Sequence, residues 1–196
     1  MPIITIDGNI GAGKTTILNY LHTNFNINVD LEPVDKWKPY LDNIYLNKKN
    51  FFNLQVRVWL DRSWIQEKDE RSLLIMERSP FFIRNTFNKY MYENDLISSN
   101  ENVIINELYN KTDIIWNSNY YIYLRTSPKK CLDRILSRGR ENELDISLDY
   151  LEDIHRLHEN CLEELINDNK KILIIDVEEK TLEEISLEII KFIHKL

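Results

Sequence analysis

The stretch GNIGAGKTT, Gly8 to Thr16, combines glycine, lysine and hydroxyl residues at a spacing that holds phosphate. Gly8-Asn9-Ile10-Gly11-Ala12-Gly13-Lys14-Thr15 fits G-x-x-x-x-G-K-[ST], with Thr16 following, and it stands between the apolar run IITID and the helix-like TTILNYLHTNF. Glycines let backbone N–H groups curl around an anion, and the positive end of the following helix adds attraction. Lys14 would neutralise phosphoryl oxygens, and the Thr15 hydroxyl would ligate Mg2+. Four glycines occur in the whole chain and three lie in this loop, so they are not background.

A phosphate loop alone does not name a reaction. The segment NKTD, Asn110 to Asp113, looks like the N-K-x-D of guanine-nucleotide switches. Those switches also need D-x-x-G, and the glycine after the loop, Gly139, has Leu136 three places before it. NKTD is more economically a polar step near the end of the amphipathic ENVIINELYNKTDIIW. Arg134, Arg138 and Arg140 crowd RILSRGREN in an otherwise acidic chain, and like charges this close repel unless a polyanion shares their space. An exposed basic helix end is the plain alternative. Beside a phosphate loop, a lid closing arginines over a transferring phosphoryl group accounts for them better.

Glu32, in EPVDKW, follows the second apolar run, where open parallel sheets place ligand groups. A carboxylate there can take the proton of a hydroxyl acceptor, while the bland alternative is a helix-capping or surface glutamate. In MERSPFF, Glu77 and Arg78 end the third run. That carboxylate can hold Mg2+, and the guanidinium can meet the sugar-phosphate end of an acceptor, unless the two form an ordinary surface ion pair. Gln55, Val58, Trp59 and Arg62 share one face of FFNLQVRVWLDRSW. The Gln55 amide offers a donor and an acceptor, as a nucleobase edge does, although the same spacing also suits core packing.

These groups need a scaffold that gathers them at one edge. Apolar runs at 3–7, 27–31, 73–77, 120–124 and 171–177 alternate with stretches of helical spacing, which predicts an α/β fold whose parallel sheet is covered on both faces. In TSPKKCLDRILSRGR the spacing puts Leu132, Ile135 and Leu136 on one face and Arg134 and Arg138 on the other. The C-terminal LEEISLEIIKFIHKL reads as a packing helix, with Leu182, Ile185, Ile189, Ile190 and Ile193 inward. With 196 residues and no repeat or linker, one domain over 1–196 is expected. A net charge of −7 argues against nucleic-acid or membrane-surface binding, so any anion must be bound locally. Two cysteines, Cys131 and Cys161, make neither a disulfide framework nor a metal site. MPIITIDG reaches its glycine turn too soon for a signal peptide and no apolar run approaches membrane length, so a cytoplasmic location is expected, the host cytoplasm if the source is viral. The abundance of Asn, Ile, Lys and Tyr fits a large DNA virus or a low-GC microbe.

The order and spacing of GNIGAGKTT, EPVDKW, MERS, YLRTSPKKCLDRILSRGRENE and YLEDIHRLHENCL resemble the deoxynucleoside kinases, from about residue 3 to 177. The resemblance implies a P-loop kinase fold with a five-stranded parallel sheet flanked by helices, a short Arg-rich lid at about 134–144, and a homodimer packed through helices. It implies ATP as phosphate donor, Mg2+ at Thr15 and Glu77, and catalysis by Glu32, the base for the sugar 5′-hydroxyl, with Arg78, Lys14 and Arg138. Gly8 to Thr16 would hold the phosphates together with the lid residues Arg134, Arg138 and Arg140. Tyr45 and Glu143 fall where the family binds the 3′-hydroxyl, and Gln55 where it bonds the base. Trp37, Val58 and Phe87 would wall the base pocket, Phe87 by stacking.

In members that take deoxycytidine or purines, an arginine on the Gln helix pairs with an aspartate five residues after the arginine of the RS motif. Here Arg62 occupies the first position and Ile83 the second, which favours pyrimidines, thymidine first. Feedback inhibition by a deoxynucleoside triphosphate is a further expectation from the resemblance. Thymidylate kinase, the nearest rival, usually has EPGG, whereas Val34 and Asp35 follow Pro33. A non-catalytic nucleotide-binding subunit is the rival of another class, and the presence of Lys14, Glu32, Arg78 and the lid arginines speaks against it.

Overall fold

The computed structural model describes residues 3–63, 73–115, 120–140 and 143–196, apart from the side chains of residues 45, 46 and 112–115. Its strands are β1 (Ile3–Asp7), β2 (Asn28–Asp30), β3 (Leu74–Glu77), β4 (Tyr120–Arg125) and β5 (Lys171–Asp176). They form one sheet in the order β2-β3-β1-β4-β5, every pair parallel, as the apolar runs implied. From Ile4 to Asp7 and throughout β3 every residue is buried, which is why these strands are apolar without alternation. The register sets Ile6 beside Glu77 and Asp7 beside Tyr123, so the residues that end β1 and β3 meet at one edge.

The helices are α1 (Lys14–Phe25), α2 (Val34–Asn47), α3 (Phe51–Ser63), α4 (Pro80–Ile83), α5 (Lys89–Glu93), α6 (Ser99–Ile115), α7 (Pro128–Arg138), α8 (Leu148–Asn167) and α9 (Leu182–Ile193). Serines cap three of them: the side chains of Ser79, Ser127 and Ser147 accept from the backbone N–H three residues on. Two apolar bodies flank the site. One packs Ile4, Ile6, Leu18, Ile122, Ile135 and Leu151 about the sheet, and the other gathers Trp37, Leu54, Val58, Ile83 and Met91 among α2, α3, α4 and α5. Among the described residues no helix is long and apolar enough to cross a membrane.

Three local features differ from the sequence reading. On α7 the inward stripe is Cys131 and Ile135, while Leu136 is half exposed, because i, i+4 spacing already fills the contact with the phosphate loop. On α9, Ile185 and Ile189 are buried and Leu182, in the first turn, is exposed. Between α4 and α5, Arg84–Asn88 winds as a π-helical turn, a register change that apolar spacing does not signal. Asn110 of NKTD lies within α6 and accepts from Arg84 at 2.8 Å; the side chains of Thr112 and Asp113 lie outside the described residues.

The loop between β1 and α1 is wedged against other backbone. Gly11 has φ +82°, and a Cβ placed there would lie 2.6 Å from the Cys131 carbonyl oxygen; at Gly13, with φ +98°, a Cβ would meet nothing within 4 Å. Gly13→Ala should therefore cost only left-handed strain, on the order of 1–2 kcal/mol. Gly11→Ala adds a backbone clash that α7 must move to relieve. Chemical denaturation should show Gly11→Ala as the more damaging by at least about 1 kcal/mol; equal losses would mean that the loop is not wedged against α7.

Candidate active site

The phosphate loop is tied to its surroundings by its own side chains and by Arg134. The Asn9 side chain ties it to α8, donating from Nδ2 to the Leu151 carbonyl at 2.9 Å and accepting at Oδ1 from Ile10 N–H at 2.8 Å. Lys14 opens α1 and is buried, its ammonium donating to the carbonyls of Gly8 (3.1 Å) and Asn9 (3.0 Å). Burial, and then the charge of Arg78, push its pKa from 10.5 down to about 8 despite nearby carboxylates. A polyanion in the loop would reverse that. Arg134 supports the same loop from α7, donating to the Ala12 carbonyl at 3.3 Å.

Thr15 donates from Oγ1 to Glu77 Oε1 at 2.7 Å, and the other carboxylate oxygen accepts from the Glu32 backbone N–H at 3.2 Å. This hydroxyl–carboxylate pair beside the loop is the hard-oxygen set that Mg2+ takes while keeping several waters. Among the described residues no cluster of three His, Cys, Asp or Glu is present. The residues thus fit Mg2+ held jointly with a phosphate, and not a fully protein-bound ion.

Beyond the loop, Arg78 Nε donates to Glu32 Oε1 at 2.6 Å, and both side chains are largely buried. The same guanidinium reaches the Gly8 carbonyl at 3.4 Å and lies 4.6 Å from the Phe87 ring centroid. Burial opposes ionisation of Glu32, but Arg78, then Lys14 and Arg62, outweigh it and hold the carboxyl below its ordinary pKa. Glu32 is a fixed anion, aimed by Arg78, between the phosphate loop and an apolar chamber.

That chamber and the loop share one cavity of about 620 Å³. Glu32, Trp37, Gln55, Val58, Arg78, Ile83 and Phe87 all line it, as do Lys14, Thr15, Thr16 and Glu77 at the phosphate end. The Trp37 indole is held by Asp61, which Arg57 holds in turn (both 2.8 Å). Gln55 Nε2 donates to Met91 Sδ at 3.3 Å, whereas its buried Oε1 has no partner among the described residues. An unpaired buried acceptor facing a chamber favours a ligand that brings an N–H. Phe87 is carried by the π-helical turn and rests edge-on against His158.

At the mouth, Glu143 Oε2 accepts from Arg138 Nε at 2.6 Å, and its Oε1 accepts from Arg140 at 3.3 Å. All three line the cavity. Residues 141 and 142 of the lid segment, and the Tyr45 side chain, lie outside the described residues.

Arg62 requires a correction. It is 1% exposed, does not line the cavity, and its guanidinium serves the backbone carbonyls of Glu77 (2.7 Å), Leu31 (3.3 Å) and Asp30 (3.4 Å). With Ile83 offering no carboxylate on α4, its charge pairs with the Asp30 carboxylate at 3.3 Å and with these carbonyls at the ends of β2 and β3, so it braces Glu32 and Glu77 from behind. The sequence reading also passed over Tyr90, Met91 and Tyr150, which line the cavity, and Asp7, which is buried beneath it. Asp7 alone had a signal: a carboxylate closing an apolar strand immediately before the loop.

The sequence model of the deoxynucleoside kinase family matches residues 4–196. Protein 143R of Invertebrate iridescent virus 6 is 31% identical over 192 residues, 96% of this chain and 95% of that protein. Bovine deoxycytidine kinase is 30% identical over 198 residues, 81% of this chain and 74% of the enzyme. Human mitochondrial thymidine kinase 2 is 29% identical over 175 residues, covering 82% of this chain and 64% of that enzyme, so the chain spans less than two thirds of it. The chain belongs to the deoxynucleoside kinase family and is a phosphotransferase acting on nucleosides.

The depressed Lys14 pKa gives ATP binding a proton signature. At pH 8.5 an ammonium with a pKa of about 8 is mostly neutral; a bound triphosphate restores its charge, so binding should take up about 0.8 proton. Below pH 7 both states are protonated and the uptake should vanish. Calorimetry in buffers of different ionisation enthalpy measures this, with Lys14→Met as the control that loses it. Absence of uptake at pH 8.5 in the wild type would mean that Lys14 is already charged before binding and that its pKa is not depressed.

Proposed function

We propose that this chain transfers the γ-phosphoryl group of ATP to the 5′-hydroxyl of deoxynucleosides, with pyrimidines preferred and thymidine first. The observation that carries the reading is the Arg78-anchored Glu32 carboxylate at the waist of a cavity whose two ends suit a triphosphate and a base. The nucleoside 5′-hydroxyl lies against Glu32, which takes its proton as the hydroxyl oxygen attacks the γ-phosphorus. The bond from that phosphorus to the β,γ-bridging oxygen breaks, and ADP leaves with its electron pair. With its pKa held low, Glu32 acts more by position than by basicity, receiving the proton late in the transfer.

Lys14 and the N–H groups of Gly8 to Thr16 hold the phosphates, and Arg138 and Arg140 add positive charge from the lid. Arg134 acts by fixing the loop. Thr15 and Glu77 would hold Mg2+, which supplies charge neutralisation at the phosphates when bound. A phosphate-bearing acceptor would place its anion against Glu32, which weighs against thymidylate.

Base preference follows from the surroundings of Gln55. Its free Oε1 suits the N3–H of thymine while Nε2 can serve a carbonyl, and Ile83 and Val58 offer only apolar surface to the rest of the ring. Trp37 and Phe87 wall the slot, and Tyr45 and Glu143 are the candidates for the 3′-hydroxyl. A homodimer is supported by Leu60 of α3 and by Val103 and Ile104 of α6, exposed on two helices that pack together. End-product inhibition follows if a deoxynucleoside triphosphate spans both ends of the cavity. Cytoplasmic action is favoured by two free, buried cysteines.

A phosphate-transfer assay with ATP, Mg2+, the four deoxynucleosides and thymidine monophosphate tests the reading. Labelled thymidine monophosphate should form fastest; label only in thymidine diphosphate would overturn it. Glu32→Gln should bind nucleoside normally yet lose about 10²–10⁴-fold in turnover, and turnover within a few-fold of wild type would exclude Glu32 as the base.

A further inference from the structure

One buried charge has no part in this scheme. Asp7 ends β1 and is 0% exposed. Both its carboxylate oxygens accept from the Ser79 backbone N–H, at 3.0 and 3.3 Å. One residue earlier, the Arg78 N–H donates to the Ile6 carbonyl at 2.9 Å. Consecutive residues of β1 therefore grip the two peptides that flank Arg78.

Arg78 needs that grip. Its φ is +65°, a left-handed conformation that a residue with a Cβ holds only under constraint. From this conformation the side chain turns back over the end of β1, towards the Gly8 carbonyl and Glu32. Released to ordinary negative φ, the residue would project its guanidinium along another direction and Glu32 would lose its partner. Ser79 is also the N-cap of α4, its Oγ accepting from Phe82 N–H at 3.1 Å, so the turn is anchored on its far side as well.

We propose that Asp7 is a positioning residue, a hydrogen-bonded clamp that holds Arg78 in its left-handed conformation and so aims the guanidinium at Glu32. The proposal rests on the reading that Glu32 and Arg78 serve the transfer. It explains why an acid survives in a position where burial pushes its pKa up to about 7: the Arg78 charge, the Ser79 donors and Lys14 compensate, while Tyr123 pairs beside it on β4 and the Cys161 thiol of α8 feels its charge. A neutral apolar residue would fill the space but leave the Ser79 N–H unpaired.

Asp7→Ala, which removes the acceptor, and Asp7→Asn, which keeps one, separate the clamp from mere packing. With the best deoxynucleoside as acceptor, Asp7→Ala should lower kcat about 10–100-fold while KM for ATP changes less than about threefold, and Asp7→Asn should recover to within about fivefold of wild type. The loss should be shared with Arg78, so that Asp7→Ala in an Arg78→Lys background costs little more. Should the alanine variant fail to fold, Asp7→Ser, whose hydroxyl is too short to reach Ser79, is read the same way. Amide exchange gives a readout independent of turnover: the Ser79 N–H should be protected in the wild type and Asp7→Asn and exposed in Asp7→Ala. Unchanged kcat or unchanged Ser79 protection in Asp7→Ala overturns the clamp, and so does full additivity with Arg78→Lys. A wild type that phosphorylates no deoxynucleoside overturns the functional reading instead, leaving the exchange experiment to decide the clamp.

Discussion

The site is organised around one buried ion pair, Arg78 with Glu32, which joins the end of β3 to the segment after β2. Two charges withdrawn from water cost several kcal/mol each unless geometry and further hydrogen bonds compensate. Here the compensation is spread over the surrounding elements: the Gly8 carbonyl and the Phe87 ring take the remaining faces of the guanidinium, while Lys14 and Arg62 surround the carboxylate with positive potential. The pair can form because the sheet order places β3 between β2 and β1, bringing three strand ends and the phosphate loop to one edge. Its position also divides the cavity into a polar end and an apolar one.

Much of this was legible in the sequence because it rests on local rules. Apolar runs without alternation marked doubly covered parallel strands, and the glycine pattern between a strand and a helix marked the loop whose Gly11 has no room for a side chain. Glu32, Glu77 and Arg78 were legible by position, since the carboxyl ends of parallel strands converge whatever else the fold does. What was not legible depends on contacts between segments far apart in the chain. Arg62 shares a helix face with Gln55, yet two further turns of α3 carry it past the chamber to the carbonyls behind Glu77. Helical spacing fixes a direction, and only tertiary distance decides what lies in it.

Phe87 shows the same limit from the other side. A regular helix through PFFIRNTFNKYMYE would place it by 3.6-residue spacing, but the π-helical turn shifts the register between Ile83 and Phe87, and both residues still reach the chamber. Thr86 helps to hold that turn, donating from Oγ1 to the Phe82 carbonyl at 2.6 Å. Below it, His158 is fully buried and accommodated as a neutral ring: burial, then Arg78, drives its pKa well down, and Nδ1 meets the Ile154 carbonyl at 2.7 Å. An uncharged imidazole there supports Phe87 without adding a third cation beside Arg78 and Lys14.

The charges at the phosphate end obey a further constraint. The chain as a whole carries −7, yet Lys14, Arg78, Arg134, Arg138 and Arg140 converge on one loop. Each of these cations meets an acceptor within the chain: loop carbonyls for Lys14, Arg78 and Arg134, and Glu143 for Arg138 and Arg140. Neutral carbonyls are weaker acceptors than phosphoryl oxygens, so a triphosphate can replace them at a gain. Glu143 differs, because it is a full charge shared between two arginines. Arg138 and Arg140 of the lid are therefore held by an opposite charge, whereas Lys14 and Arg134 are held by carbonyl dipoles.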